Sequence, residues 1–310
     1  MTAPAPIAII GNANLDLVGG TMDHWPERGT ESFLDHSDLR IGGSAANTAL
    51  VLQRLQARSG LIASAGGDLV GDMIAGRFGG ALDRIARVAG PSSVTFGLLH
   101  PGSERTFFST PGHLDRFDLS LVRGGLADWP LAGAMALVSG SFALPALCRG
   151  TSELLSDLRG HGAALAIDPG WPDGGWTEDN RALALDWIAQ GDVILMNDKE
   201  VQGLTGCATV AAALDRLDAR LRPGAVLAVK CGPAGAVGRH GGDTLTAPSP
   251  PAEVLDTIGA GDAFNAGYLA AWQAGYPVAG CLRAGCDIAS RVIRDFPRGT
   301  GPLALTGLSR

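Results

Sequence analysis

Short apolar runs and longer stretches of helical period alternate along the chain. Residues 7–10 (IAII) open it with a run of strand length, and LIASAG, AMALVSG, AALAIDP, DVILMN and AVLAVKCG follow, each closed by polar or glycine-rich residues. Between them, residues 44–56, 71–82, 146–159, 181–190 and 210–221 carry helix-like stretches. Ser44 is the expected N-cap of the first, with Ala49, Leu52 and Leu55 near one face. Unbroken apolar strands alternating with helices imply a mostly parallel sheet covered on both faces. Residues 15–40 and 92–110 break the rhythm with short strands of polar alternation, as in SVTFGLL and ERTFFS. They are read as a small antiparallel flap standing off the main sheet. No repeat or linker divides the chain, so residues 1–310 are read as one α/β domain with a discontinuous lid.

The best-supported helix follows DTIGAGDAFNAGYLAAW, where Phe264, Gly267, Tyr268, Ala271 and Trp272 recur at helical spacing. Its start is unusual, because Asp256 and Asp262 bracket a turn built from Gly259, Ala260 and Gly261. A helix N-terminus offers unpaired N–H groups and a positive dipole end, which suit a transferring phosphate. Glycines let such an anion approach the backbone. The spacing alone leaves Asp262 two roles: an N-cap, or a general base beside an anion hole. Asp256 then needs a cation to compensate it.

Charge and cysteine content narrow the partners. The formal net charge is −7, the only lysines are Lys199 and Lys230, and no basic run occurs, which argues against nucleic acid or an anionic membrane. The five cysteines are scattered without a C-x-x-C pair, as expected of reduced thiols in a cytoplasm. The N-terminal apolar run lacks a basic region before it and is too short to span a bilayer. A small ligand in a cytoplasmic protein is the expectation.

In open α/β sheets, ligands bind beyond the C-terminal strand ends. Asn14 and Asp16 follow the first strand, Asp168 ends AALAIDP, and Asn197 ends DVILMN with Glu200 on the next helical turn. Each taken alone is an ordinary turn former or cap; several converging on one sheet edge point to a site. Competing motifs are missing: there is no G-x-x-x-x-G-K-[ST], no complete G-x-G-x-x-G after the first strand, no G-x-S-x-G and no H-E-x-x-H. The incomplete glycine fingerprint disfavours a dinucleotide-dependent oxidoreductase.

With these residues assembled, the chain resembles the ribokinase-like, or PfkB, carbohydrate kinases along almost its whole length. DTIGAGD matches that family's D-T-x-G-A-G-D signature in full; IGGSAANTA resembles its G-G-x-x-x-N element, NDKE its N-x-x-E element, and VKCGPAGAV its nucleotide strand and glycine-rich turn. The resemblance implies a three-layer α/β/α sandwich with a mostly parallel central sheet and a small β-sheet lid. It implies Asp262 as catalytic base and Gly259, Ala260 and Gly261 as anion hole. Asn14, Asp16, Gly42, Gly43 and Asn47 would bind the sugar. Asn197 and Glu200 would organise Mg²⁺ and phosphates, and Lys230, Gly232 and Gly235 would line ATP. Asp256 and the Ile258 carbonyl would help hold a monovalent cation such as K⁺. Lys230 stands where many relatives carry a small hydroxylic residue, and DFPRGTGPLAL only loosely resembles the closing cation-site loop. Cys286 falls near the expected adenine pocket, with a buried core cysteine as its other reading.

The implied activity is transfer of the ATP γ-phosphate to a hydroxyl of a small sugar or sugar derivative. Arg105, on the lid, is a candidate for an acidic substituent, with a solvated lid arginine as the alternative. Two other readings stay open: a nucleoside kinase of adenosine type, with Trp25, Phe96 and Phe108 forming an apolar slot, and a sugar- or nucleotide-binding regulatory protein without turnover. Exposed lid strand edges suggest a homodimer through the lid.

Overall fold

The computed structural model describes residues 4–103 and 105–308. The chain opens with β1 (Ile7–Gly11), β2 (Asn14–Gly20) and β3 (His36–Gly42), followed by α1 (Ser44–Arg54), β4 (Ser59–Ala65), α2 (Leu69–Arg77) and β5 (Arg84–Arg87). Next come β6 (Val94–Leu99), β7 (Arg105–Ser109), α3 (Leu119–Leu126), β8 (Met135–Ser139), α4 (Pro145–Cys148), α5 (Thr151–Gly160) and β9 (Ala164–Asp168). α6 (Glu178–Gln190), β10 (Val193–Asn197), α7 (Asp198–Thr205), α8 (Val210–Asp218) and β11 (Val226–Lys230) continue the alternation. β12 (Ala236–His240), β13 (Asp243–Ala247), α9 (Ala260–Gln273) and α10 (Val278–Val292) complete it.

Nine strands form the main sheet in the order β13-β12-β11-β10-β9-β8-β1-β4-β5. All pairs are parallel except the β11–β12–β13 edge meander, which the run-by-run reading of the sequence did not separate. Alternation sends Ile7 and Ile9 to one face, with residues of α1, α2, α9 and α10, and Ala8 and Ile10 to the other, with residues of α3 to α8. This is the three-layer α/β/α arrangement. The chain winds one way through β4 and β5 and the other way through β8 to β11, so the switch point lies between β1 and β8.

A second, four-stranded sheet runs β3-β2-β6-β7. It is mixed rather than wholly antiparallel, because β2 pairs β6 in parallel. Two helical readings also change. The stretch 146–159 breaks at Gly150, which starts α5 in place of a continuous helix. Ser44 is the first residue of α1 and not its cap; Gly43 takes that position at φ 95, and the Ser44 hydroxyl donates to Asn12 Oδ1 at 2.9 Å. No helix among the described residues is long and apolar enough to cross a membrane.

Candidate active site

Parallel register aligns the C-terminal ends of the central strands. Ser139 pairs with Asp168, and Asn197 pairs with Lys230, so these last residues of their strands share one rim of the sheet. α9 brings Asp262 and Asn265 to the same rim. Lys230 Nζ donates to Asp168 Oδ2 at 2.9 Å and to Asn265 Oδ1 at 3.2 Å, while Asn265 Nδ2 donates to Asp168 Oδ2 at 2.6 Å. A Cβ on Gly261 would lie 3.5 Å from Lys230 Nζ, so the ammonium adjoins the first turn of α9.

That first turn distinguishes the two roles open to Asp262. The N-cap is Gly259, in the left-handed region at φ 74, and no side chain caps the helix. Asp262 therefore keeps its carboxylate for other contacts, and Asn47 Nδ2, from α1, donates to its Oδ2 at 2.9 Å. The N–H of Ala260 is taken by Thr257 O at 3.2 Å. The N–H groups of Gly261 and Asp262 belong to the turn that has no intrahelical acceptor. Loss of water around Asp262, with Asp168 nearby adding repulsion, pushes its pKa up to about 7, against the lowering effect of the Asn47 hydrogen bond.

Asn197 and Glu200 form a capping box on α7: the Glu200 N–H donates to Asn197 Oδ1 and the Asn197 N–H donates to Glu200 Oε2, both at 2.8 Å. The reciprocal bonds pin the Glu200 carboxyl, which is 6% exposed, toward Asp168 and Asp262. Burial, with the Asp168 charge second, raises its pKa to about 7. Burial opposes the charge on Lys230, but Asp168 and Glu200 outweigh it and leave the ammonium pKa raised. Asp168, Glu200 and Asp262 thus set three mutually repelling carboxyl groups around one lysine. No group of three or more metal-ligating side chains forms a dedicated cage among the described residues.

β2, β3 and α1 supply the other polar residues expected in the site. Asn14 Nδ2 donates to Asp16 Oδ1 at 2.6 Å and reaches Thr95 Oγ1 at 3.3 Å. Burial raises the Asp16 pKa to about 6, with Arg40 pulling against it. Gly42 and Gly43 make room for these two side chains: a Cβ on Gly42 would stand 2.1 Å from Asp16 Oδ2, and one on Gly43 2.8 Å from Asn14 Oδ1. Arg105, on β7, donates to Thr257 Oγ1 and so ties the small sheet to the signature loop.

Other expected positions fall differently. Gly232 and Gly235 shape the β11–β12 turn at φ 55 and φ 90, and a Cβ on Gly235 would meet Ala247 O at 2.0 Å. Cys286 belongs to the core under β13, 4% exposed, with its thiol pushed up to about 12 by burial. This geometry supports its core reading and offers a ligand almost no surface. Phe96 and Phe108 pair with each other and, through Leu17, share a row with Leu39. That row lies on the face opposite Asp16, Thr95 and Ser109. Asp256 Oδ2 and the Ile258 carbonyl, the oxygens expected to hold K⁺, are both engaged by Arg298 Nη2. Residues that sequence reasoning did not carry into the site include Asn265, Arg40 and Arg298. Asn265, which is 0% exposed, was detectable as a polar residue in the apolar stretch AFNAGYLAAW of α9.

Comparisons with known proteins bear on the family and the fold. The profile of the pfkB family carbohydrate kinases matches residues 5–300. An uncharacterised sugar kinase of Escherichia coli K12, YegV, is 27% identical over 298 residues, covering 94% of this chain and 90% of the relative. A fructokinase of Klebsiella pneumoniae is 32% identical over 244 residues, covering 74% of this chain and 76% of its own. Among solved structures, Arabidopsis thaliana ribokinase complexed with ribose and ATP superposes with a TM-score of 0.77 at 20% identity, covering 97% of this chain and 96% of that one.

Proposed function

The chain belongs to the pfkB family of carbohydrate kinases, and on that premise we propose that it transfers the γ-phosphate of ATP to a hydroxyl of a small sugar or sugar derivative, with Asp262 as the base. The observation that carries this reading is the start of α9. Gly259 takes the capping position, so Asp262 is free, oriented by Asn47, and poised with a pKa of about 7. A base titrating near neutral pH is matched to removing a hydroxyl proton.

In this mechanism Asn14, Asp16 and Asn47 orient the acceptor, and Gly42 and Gly43 keep its two main polar side chains in place. Asp262 takes the proton as the acceptor oxygen bonds to the γ-phosphorus and the bond from that phosphorus to the β–γ bridging oxygen breaks, releasing ADP. The N–H groups of Gly261 and Asp262, with Lys230 beside them, stabilise the charge on the phosphoryl oxygens. Asp168 and Asn265 position Lys230 for that task, so its role is on the phosphates, not the ribose. Mg²⁺, when bound with ATP, would neutralise phosphate charge, held by Glu200 and Asp168 largely through water, with Asn197 fixing Glu200. Gly232 and Gly235 leave the β11–β12 turn narrow for the nucleotide. The small sheet acts as a lid, fastened at Arg105 and Thr257, that excludes water from the acceptor.

For the nucleoside reading, Phe96 and Phe108 share the lid face opposite Asp16, with Trp25 edge-on to Phe108 at 6.1 Å, while Phe107 lies on the face of Asp16. The outward face instead favours a second copy of the chain. Leu39, Leu17, Phe96 and Phe108 form a continuous row across all four strands and are 54, 38, 46 and 52% exposed. A cytoplasmic homodimer through the lid fits this surface. The test of function is ADP release from ATP-Mg across pentoses, hexoses, sugar acids, sugar phosphates and nucleosides. Turnover with one sugar class is the expected result. Turnover with nucleosides alone would replace this reading, and no turnover despite ATP-dependent stabilisation would favour a binding protein.

A further inference from the structure

The loop that delivers Asp262 is fastened by arginines. The Asp256 side chain is 0% exposed; its Oδ1 accepts the Ile258 N–H at 2.8 Å, and its Oδ2 receives Arg40 Nη1 at 2.5 Å and Arg298 Nη2 at 3.2 Å. Arg298 Nη2 also donates to the Ile258 carbonyl oxygen. Arg40 Nη1 turns at the same time to Asp38 Oδ2 at 3.1 Å, and the Arg298 backbone N–H reaches that oxygen at 3.4 Å. The carboxylate and the carbonyl that a monovalent cation would use are thus already held by one guanidinium.

Asp38 and Asp256 face Arg40 and Arg298, whose side chains are 14% exposed or less, with Asp16 within electrostatic reach of both arginines and Asp262 within reach of Arg298. K⁺ at Asp256 would have to displace Arg298 Nη2 from Asp256 Oδ2 and the Ile258 carbonyl, leaving the guanidinium without those partners in a poorly solvated place. The arginine is also fixed from behind. Ile293 O, at the end of α10, accepts the N–H groups of Leu255 and Asp256, and Phe296 packs edge-on against His36 of β3 at 4.5 Å. On its other side the guanidinium abuts the N-cap, since a Cβ on Gly259 would lie 2.8 Å from Arg298 Nη1. Glycine there makes space for the arginine as well as for the turn.

We infer that Arg298 is the resident cation of the signature loop, holding Asp256 and the Ile258 carbonyl so that the anion hole is formed without a monovalent metal ion. The residues present do not fit K⁺. Arg298 acts through the loop and is a positioning residue. Its charge also lies among those that favour the ionised form of Asp262. Any effect on turnover rests on the kinase reading above, whereas occupancy of the cation position can be tested without a substrate.

Thermal unfolding of the full-length protein is measured in tetramethylammonium chloride and in KCl at equal ionic strength. The wild type should melt at the same temperature in both, because no cation position is open. A saturable, K⁺-specific rise in its melting temperature would overturn the inference. Arg298→Ala should lose turnover and acquire a K⁺-specific rise in melting temperature. Arg298 itself lines a cleft with Asp38, Arg40, Asn47, Arg54 and Thr300, so its removal would open the cation position to solvent. An Arg298→Ala protein with full turnover in tetramethylammonium would remove the assigned role. Where the alanine variant does not fold, Arg298→Lys, which keeps a charge, should remain indifferent to K⁺; a K⁺ response in it would count against the inference. If no acceptor is phosphorylated, the kinase reading fails and the melting comparison still decides the cation question.

Discussion

At the scale of the residue, Asp262 shows how a backbone choice sets a side chain free. A helix that begins Gly-Ala-Gly-Asp can use the acid as a cap, but glycine at φ 74 absorbs the turn and puts the acid inside the first turn. Asp262→Asn preserves size and the contact region of Asn47 while removing the basic oxygen. Turnover should fall roughly 10²–10⁴-fold with ATP binding retained, and near-normal turnover would remove Asp262 as base. Its pKa near 7 also fixes a sign. kcat/KM of the free enzyme should rise with pH to a plateau through an apparent pKa near 7, to which Glu200 contributes. For stability the sign is opposite. Both acids have folded pKa values above their ordinary ones, so stabilisation present below about 4 is lost as pH rises through about 7. Asp262→Asn should flatten that decline in a series of melting temperatures taken against pH.

At the scale of the element, the site was legible where one residue type has one physical job. Buried parallel strands read as apolar runs, and two of the polar residues closing them, Asp168 and Asn197, mark the rim that register aligned. Less legible were features set by contacts between distant elements. The break at Gly150, the β12–β13 edge and the parallel β2–β6 pairing depend on neighbours that periodicity does not contain. Arg298 is an extreme case, 42 residues from Asp256 in sequence yet in contact with it. Gly42 and Gly43 matched a motif, but the reason for them became visible only with β2 and β3 paired. Gly42 has no positive φ, so Gly42→Ala acts by contact alone, pressing on Asp16. Its acceptor KM should rise roughly tenfold while the KM for ATP stays nearly constant. An equal rise in both would mean that β3 shifts as a whole and that Asp16 is not specifically displaced.

At the scale of the whole molecule, two sheets share one set of connections, and the acceptor side lies where they meet. β1 leads directly into β2, β3 leads into α1, and Arg105 reaches Thr257, so the lid is tied to the catalytic loop at both ends of its span. One face of the small sheet accordingly carries Asp16, Arg40, Thr95 and Arg105 beside Val18 and Phe107, and reaches the loop before Asp262 through Arg40 and Arg105. On the other face, Leu39, Leu17, Phe96 and Phe108 lie in register. With Trp25 edge-on to Phe108, these exposed residues form an apolar surface on a sheet with open edges at β3 and β7, of the kind that pairs with another chain. A second lid packed against it would cover the row and stiffen the strands that carry Asn14 and Asp16. Sedimentation velocity should therefore find a dimer for the wild type and a monomer for Phe108→Glu combined with Leu17→Lys. Both substitutions lie on the face away from Asp16. If lid packing orders the acceptor side, the monomeric variant should show a raised acceptor KM with little change in the KM for ATP. A wild type that stays monomeric at every concentration would leave the row without this partner, and the lid would then have to be stiffened from within the chain, at Arg105 and Thr257.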